Sequence, residues 1–357
     1  MSTDIQHSAS SIQHSQEPAL PSPEEIAPVR EALGRTLAEL DRILLGRHEL
    51  HRLVLAGILA RGHILLEGLP GLGKTALVKA VGDVLQLDFK RVQFTPDLMP
   101  GDILGAHILQ TAADGRREMV FQPGPVFCNI LLADEINRAS PKTQSAMLET
   151  MQERSVTLLG TTRPLPSPFF VLASQNPIEL EGTYPLPEAQ LDRFLFRVLV
   201  DDLDPDTLTD ILATRRHGEP PRAGWRMPAE TLRACFDAVS RIVLPRPVAA
   251  WISRVVAASH PDAPSAPEDV RKYVRYGASP RAAIAMAEAA RAVALLDGRP
   301  SVGFDDVRAV AVPVLNHRLI PSYQARLDHR TPASIAESLL AAVSESGLDL
   351  PDSVRVG

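Results

Sequence analysis

The chain has 357 residues, 45% of them hydrophobic, which is enough apolar material for two packed domains. Its formal net charge of −6 argues against nucleic acid as a partner, because nucleic-acid binding favours a basic surface. The sequence contains no signal-like segment and no run of about 18 apolar residues, so we expect a cytoplasmic protein without membrane insertion. Cys128 and Cys235 lie apart in apolar contexts and are predicted to be reduced core thiols.

The N-terminal region divides into a polar leader and two helical segments. Residues 1–24 are rich in Ser, Gln, His and Pro, a composition typical of a disordered leader. Apolar residues at helical spacing then predict a helix from about 24 to 44 and another from about 48 to 60. The dipeptide Leu45-Gly46 separates them. The apolar run 63–67 predicts a buried strand.

A glycine-rich segment, Gly68-Leu-Pro-Gly-Leu-Gly-Lys-Thr75, follows this strand and leads into a helical pattern. Glycines allow the backbone amides and the helix N-terminus to converge on phosphate oxygens. Lys74 supplies a positive charge, and Thr75 offers a hydroxyl to Mg²⁺. The strand before and the helix after disfavour an ordinary glycine turn. We therefore predict that a nucleotide contacts Gly68, Pro70, Gly71, Leu72, Gly73, Lys74, Thr75 and Ala76.

Strand and helix patterns alternate as far as residue 203. The predicted strands are 89–94, 129–134, 169–176 and 196–200. Two hairpins, at about 103–122 and 155–166, interrupt this alternation, and the first turns at Asp114-Gly115. The pattern predicts a doubly wound parallel α/β sheet within a domain of residues 25–203.

Strand patterns are absent after residue 204, where helix signals predominate. A capping residue precedes proline at Asp204-Pro205, Ser279-Pro280 and Thr331-Pro332, which is typical of helix starts. Residues 204–357 are therefore predicted to form a smaller all-α domain. Its predicted helices are 205–217, 228–242, 247–259, 280–297, 304–318 and 332–345.

Two acidic residues, Asp134 and Glu135, end the apolar strand 129–134. In a parallel sheet, this end of the strand lies at the same edge as the glycine-rich loop. We predict that Asp134 holds Mg²⁺ together with Thr75, partly through water, while Glu135 polarises the attacking water. The alternative is that both acids merely end a strand at the surface.

Four sequence runs together resemble the MoxR family of AAA+ ATPases, in the helix-2-insert branch. They are Gly68-Leu-Pro-Gly-Leu-Gly-Lys-Thr75, Leu132-Ala-Asp-Glu-Ile-Asn-Arg-Ala139, Ser174-Gln-Asn-Pro177 and Gly182-Thr-Tyr-Pro-Leu-Pro-Glu-Ala-Gln-Leu-Asp-Arg-Phe194. The similarity extends from about Leu45 to the end of the helical domain. Ser174 stands where the family usually has Thr, and Gly101 where it usually has Ser; neither is an expected catalytic position.

The resemblance implies roles for three further polar residues. Asn176 would be the sensor that orients water against the γ-phosphate, although a loop cap is the alternative. Arg281, at a predicted helix start, would be a second sensor, although surface arginines are common at such positions. Leu45 and Gly46 would line the adenine pocket.

The resemblance also makes Arg193 an arginine finger that reaches the nucleotide of the adjacent subunit. The chain has 32 arginines and only 5 lysines, so a single arginine is weak evidence on its own. An intrachain salt bridge with Asp192 or Glu188 is the alternative for Arg193.

The function implied by the resemblance is ATP hydrolysis with Mg²⁺ in a homo-oligomeric ring, expected to be a hexamer. The ring would remodel a client protein, often one with a von Willebrand factor A domain, and the two hairpins would face the central pore or the client. Two alternatives are the motor subunit of a metal chelatase and a nucleic-acid-associated or GTP-dependent motor. A nucleotide-binding scaffold without turnover is a third, which the intact Glu135 disfavours.

Overall fold

The computed structural model describes residues 20–111, 116–177, 182–215 and 218–346. Most of the predicted leader and the predicted Asp114-Gly115 turn lie outside these ranges. The strands are β1 (Ile64–Glu67), β2 (Phe89–Gln93), β3 (Gly105–Thr111), β4 (Arg117–Pro123), β5 (Ile130–Asp134), β6 (Ser155–Leu158), β7 (Thr161–Pro164), β8 (Phe170–Gln175), β9 (Phe196–Leu199), β10 (Val274–Tyr276) and β11 (Ile320–Pro321).

Helices surround these strands and make up most of the chain beyond residue 204. They are α1 (Pro23–Ile43), α2 (His48–Leu59), α3 (Lys74–Val84), α4 (Pro100–Leu104), α5 (Pro141–Glu153), α6 (Glu188–Leu191), α7 (Pro205–Thr214), α8 (Ala229–Arg241), α9 (Arg246–Ala258), α10 (Glu268–Tyr273), α11 (Pro280–Leu296), α12 (Phe304–Leu315), α13 (Tyr323–Leu327) and α14 (Pro332–Ala342). None of these helices is both long and apolar enough to cross a lipid bilayer.

The central sheet has five parallel strands in the order β2-β5-β8-β1-β9. Strand β5 is buried along its whole length, as expected of an inner strand covered on both faces. Pairing aligns Gln93 with Asp134 and Glu67 with Gln175, so the carboxyl ends of the strands meet at one edge. The predicted α/β class with a parallel sheet followed by a helical region is confirmed.

Two antiparallel hairpins lie outside the central sheet, β3-β4 and β6-β7. The first begins two residues later than predicted, because 100–104 form a short helix instead of extending the strand. Pro100 starts this helix, and the Asp102 carboxylate accepts a hydrogen bond from the Met99 amide at 2.8 Å. The helix brings the chain to the point where the hairpin leaves the core.

The region beyond residue 204 contains the predicted helices and three short elements that the sequence did not predict. These are α10, α13 and the two-stranded pair β10-β11. Each has six residues or fewer, too short for its apolar pattern to indicate a helix or a strand.

The apolar core has two parts, divided by the central sheet. Alternate residues of β5 point to opposite faces, so Leu132 joins one cluster while Leu131 and Ala133 join the other. The first cluster is continuous from α1 through α2 and α3 to the helices beyond residue 204, and it includes the fully buried Trp251. Both cysteines are buried, and burial raises the pKa of each thiol to about 12.

Candidate functional site

A cavity of about 400 Å³ opens at the carboxyl ends of β1, β5 and β8, and we call it the phosphate cavity. It is lined by Pro70, Gly71, Gly73, Lys74, Thr75, Ala76, Arg91, Gln93, Asp134, Glu135, Ser174 and Asn176. Five polar residues singled out in the sequence thus converge on one space, although they come from three separate segments of the chain. They are Lys74, Thr75, Asp134, Glu135 and Asn176.

The glycine-rich loop connects β1 to α3 and presents the N-terminus of that helix to the cavity. Gly73, which caps α3, has a φ of 83°, a left-handed conformation that a residue with a Cβ adopts only under strain. The Lys74 ammonium donates hydrogen bonds to the carbonyls of Gly68 and Leu69. Partial burial lowers the pKa of Lys74, an effect that Asp134 and Glu135 oppose. Helix dipole and ammonium together favour an anion here.

The Asp134 carboxylate is held by residues of the two neighbouring strands. Arg91 of β2 donates to Asp134 Oδ2 from Nε at 3.0 Å and from Nη2 at 2.7 Å. On the other side, the Ser174 hydroxyl of β8 donates to Asp134 Oδ1 and accepts a hydrogen bond from the Glu135 amide at 2.9 Å. The carboxylate is therefore fixed at the end of β5, facing the cavity.

Glu135 follows Asp134 in a left-handed backbone conformation, with φ 56° and ψ 49°. This conformation is uncommon for a residue with a side chain and is often associated with functional sites. The Glu135 Oε2 atom accepts a hydrogen bond from Gln93 Nε2 at 2.7 Å and lies 3.1 Å from Arg138 Nε. These donors hold the carboxylate at the edge of the cavity.

The donors that line the phosphate cavity suit a magnesium ion bound with a nucleotide. The Thr75 hydroxyl and the Asp134 carboxylate are hard oxygen ligands on the same cavity. Within the described ranges, no group of three His, Cys, Asp or Glu residues could hold a metal by itself. Mg²⁺ takes few protein ligands and completes its shell with water and phosphate oxygens, so this donor set fits a nucleotide-bound ion.

A second cavity of about 150 Å³ lies on the other side of the glycine-rich loop, and we call it the apolar cavity. Besides Gly71, Leu72, Gly73, Lys74 and Ala76, it is lined by Leu44, Leu45, Arg47, Leu50, His51, Leu77, Val200, Leu203, Ile211, Arg215, Gly218 and Pro220. Leu45 thus lies where the resemblance implies a base pocket. Gly46 does not line this cavity; it approaches Thr207 of α7 so closely that a Cβ would lie 2.6 Å from the Thr207 side chain. Apolar walls beside a phosphate site suit a nucleobase.

Neither Arg193 nor Arg281 lines the two cavities. Arg193 lies half-buried in the turn after α6, and within the described residues its side chain makes no hydrogen bond or ion pair. The intrachain salt bridge to Asp192 is not observed, because Asp192 instead binds Arg318 Nε at 2.7 Å and Arg281 Nη1 at 3.4 Å. Arg281 is exposed at the start of α11, as predicted, but it faces Asp192.

Sequence reasoning missed three residues of the phosphate cavity, Ser174, Arg91 and Gln93. Arg91 and Gln93 lie two positions apart on β2 and so project to the same face of the strand. The pairing of β2 with β5 then places them beside Asp134 and Glu135. The polar residues at these two positions of β2 are visible in the sequence. Only the strand order of the folded sheet shows that β5 lies beside β2.

Comparisons with known proteins identify the family of the chain. Residues 63–196 match the model of the ATPase family associated with various cellular activities (AAA), and 267–339 match an AAA lid domain. The chain is 42% identical to "Chaperone MoxR1" of Mycobacterium tuberculosis, across 93% of this chain and 88% of that protein. It is 34% identical to "Protein MoxR" of Paracoccus denitrificans, across 84% and 92%.

A solved structure from Cytophaga hutchinsonii, described as a candidate ATPase, superposes with a TM-score of 0.82 at 37% identity. The match covers 90% of this chain and 97% of that one. The family models, the two relatives and the solved structure therefore agree on an ATPase of this family. The chain belongs to the MoxR family of AAA ATPases and is an ATPase that binds its nucleotide with a divalent metal.

Proposed function

We propose that this chain hydrolyses ATP with Mg²⁺ in the phosphate cavity, and that it does so within a homo-oligomeric ring that remodels a client protein. The convergence of Lys74, Thr75, Asp134, Glu135 and Asn176 on one space supports hydrolysis, because each group has a separate part in phosphoryl transfer. A scaffold that only binds nucleotide would not need Glu135 beside the other four.

Five residues of the phosphate cavity are each assigned a task in this reaction. Lys74 and the α3 N-terminus bind the phosphates, while Thr75 and Asp134 hold the metal. When bound, Mg²⁺ would neutralise charge on the phosphates. Glu135 takes a proton from the attacking water, and Asn176 orients that water from the end of β8.

Arg193 is proposed to complete the site of the adjacent subunit, and Arg281 to act as a second sensor once the nucleotide is bound. The lack of an intrachain partner within the described residues leaves the Arg193 guanidinium available for a neighbour. A cation that approaches from the next subunit would stabilise the charge that develops on the transferred phosphoryl group. We infer a hexamer, which is the assembly expected for this family.

The two hairpins are proposed as the surfaces that contact the client. Leu109 and Met119 face each other on the first hairpin, and each is 58% exposed. Leu159, at the turn of the second hairpin, is 82% exposed. Exposed apolar side chains on projecting hairpins are typical of contact surfaces. We propose a client with a von Willebrand factor A domain, and the name of the mycobacterial relative, a chaperone, supports client remodelling.

Replacement of Glu135 by Gln tests the hydrolytic role. The amide cannot accept the proton from water, so we expect ATP hydrolysis to fall about 100-fold or more while ATP affinity is retained. Steady-state turnover and equilibrium ATP binding measure the two effects. The matched control is Glu149→Gln, which makes the same change at an exposed position of α5. A Glu135→Gln variant that hydrolyses ATP at the wild-type rate would contradict the assignment.

The adjacent-subunit role of Arg193 is tested by mixing two inactive variants. Arg193→Ala is expected to lower hydrolysis by roughly 10³-fold, whereas Arg326→Ala, at an exposed position of α13, leaves it unchanged. Arg193→Ala subunits retain Glu135, and Glu135→Gln subunits retain Arg193, so mixed rings contain some complete sites. Recovery of hydrolysis on mixing supports action between subunits. If the assembled mixture recovers nothing, Arg193 acts within its own chain.

A further inference from the structure

Gln144 of α5 is a buried amide that joins two separate segments of the chain. The residue is 1% exposed, and its Nε2 atom donates to the Ile136 carbonyl at 3.2 Å and to the Tyr184 carbonyl at 2.9 Å. Both carbonyls can only accept, so they fix the orientation of the amide. Its Oε1 atom has no partner among the described residues. A buried amide with one atom unpaired is costly, so this position calls for a reason beyond packing.

The first of the two segments is the turn that follows β5. Ile136 comes directly after Glu135, the residue proposed to take a proton from water. This turn is supported without Gln144, because the Glu135 amide donates to the Ser174 hydroxyl at 2.9 Å and the Arg138 amide donates to the Glu135 carbonyl at 2.9 Å. Ile136 is also fully buried. The turn is therefore a fixed base against which another segment can be held.

The second segment, residues 182–194, carries Arg193 near its end, and we call it the arginine segment. Tyr184 lies against the turn with both of its backbone groups bonded. Its amide donates to the Asn137 carbonyl at 2.6 Å, and its carbonyl accepts the bond from Gln144. Tyr184 is 44% exposed, so these backbone bonds, rather than burial of the ring, hold it in place.

Helix α6 precedes Arg193 and contains no buried residue, so its placement depends on contacts at its two ends. At the C-terminal end, Asp192 binds Arg318 of the helical region. At the N-terminal end, the chain is held by the bond from Gln144 and by Leu186, which joins an apolar cluster that includes residues of α5. Loss of the Gln144 bond would weaken this end while the other stays fixed, so α6 would change its angle.

We propose that Gln144 is a positioning residue that holds the arginine segment against the turn after Glu135 and thereby places Arg193 for contact with the nucleotide of the adjacent subunit. This inference rests on the proposed function, in which Arg193 completes the neighbouring site. Gln144 lines neither cavity of its own chain, so its effect has to pass through another residue. A shift of about 1 Å in a reacting group lowers a rate about 100-fold.

Replacement of Gln144 by Met removes the donor and keeps a side chain of similar length. We expect kcat for ATP hydrolysis to fall by about 10-fold to 100-fold, while ATP affinity stays within about 2-fold of the wild-type value. Gln152→Met makes the same change at an exposed position of α5 and should alter neither quantity. Gln144→Asn keeps an amide that is too short to span both carbonyls. It should give a smaller loss, and it serves as the test if Gln144→Met does not fold.

Mixing with the two inactive variants shows which site Gln144 serves. Gln144→Met subunits retain Glu135, and Glu135→Gln subunits supply a correctly placed Arg193, so this mixture should recover hydrolysis. A mixture of Gln144→Met with Arg193→Ala should recover nothing, because neither subunit then supplies a well-placed Arg193. A general loss of stability would not distinguish the two mixtures.

The outcomes also separate this inference from the function on which it rests. Recovery with Arg193→Ala but not with Glu135→Gln would mean that Gln144 acts on its own Glu135, and the inference would be overturned. Recovery with both or with neither, or wild-type kcat in Gln144→Met, would overturn it as well. If Glu135→Gln and Arg193→Ala fail to recover each other, action between subunits is wrong, whatever Gln144 does.

Discussion

His63, which immediately precedes β1, is buried, and both of its ring nitrogens make hydrogen bonds within the protein. Nδ1 accepts a hydrogen bond from the Val171 amide at 2.9 Å, and Nε2 donates to the Met151 carbonyl at 3.0 Å. Burial lowers the pKa of His63 from 6.5 to about 4, although the bond to Met151 opposes the change. A neutral imidazole thus connects β1 with β8 and α5, and protonation would remove the acceptor that Val171 needs.

This lowered pKa predicts an acid-sensitive fold. Between pH 6.5 and about 4 the unfolded chain binds a proton that the folded chain does not, so the free energy of unfolding falls as the pH falls. The full effect amounts to about 3 kcal/mol, and the buried His317, whose pKa is also lowered, acts in the same direction. Urea denaturation at several pH values measures it. His63→Gln should reduce the slope, whereas His329→Asn at an exposed position should not. An unchanged slope in His63→Gln would rule out His63 as a source.

At the scale of single residues, the sequence predicted the site residues that lie together in one short motif. Lys74 and Thr75 belong to one loop, and Asp134 and Glu135 end one apolar run, so neither pair requires knowledge of the fold. His51 lines the apolar cavity, although it lies in α2, well before the glycine-rich loop in the chain. Its environment depends on three-dimensional packing that local spacing does not contain.

At the scale of elements, the first hairpin depends on close backbone contact at its base. A Cβ on Gly124 would lie 2.2 Å from the Ile103 carbonyl oxygen and 2.4 Å from the Gly105 amide nitrogen. Gly101 lies within α4, four residues before Gly105, and the position where its Cβ would lie is open space. The two glycines therefore provide a matched pair of substitutions near the same hairpin.

Gly124→Ala is predicted to lower the free energy of unfolding by about 1–3 kcal/mol, because the backbone at the hairpin base has to move. ATP affinity should stay unchanged, since no described residue of this hairpin lines either cavity. Chemical denaturation and equilibrium ATP binding measure the two quantities. Gly101→Ser should leave both unchanged. A Gly124→Ala variant as stable as the wild type would show that the hairpin base tolerates a Cβ.

The positions of elements were predicted better than their limits. Long periodic segments such as α1 and α2 differ from the prediction by at most one residue at each end. The short elements α10, α13 and β10-β11 were missed because tertiary contacts, rather than their own sequence pattern, stabilise them. The order of the strands in the sheet could not be deduced, because the residue pattern of a strand does not show which strand lies beside it.

At the scale of the whole molecule, a buried polar cluster joins the helical region to the sheet. Arg318, which is 7% exposed, donates to Asp192 Oδ1 and to the carbonyls of Asp192, Val314, Phe194 and Leu195. Its neighbour Asn316 donates to the Arg197 carbonyl in β9 at 2.9 Å. The division at residue 204 remains a prediction, but these bonds and the continuous apolar cluster tie both sides of it together.

Arg318→Met should therefore destabilise both sides of that division at once. The substitution leaves Asp192 and several buried carbonyls without their donor, and breaking a buried ion pair costs about 3–5 kcal/mol. Both tryptophans, Trp225 and Trp251, follow residue 204, so their fluorescence reports on the helical region, whereas ATP binding reports on the sheet. The two signals should be lost at the same, lowered denaturant concentration. Arg326→Met, at an exposed position, should change neither midpoint. If only the fluorescence midpoint falls, the helical region unfolds independently and the cluster does not couple the two sides.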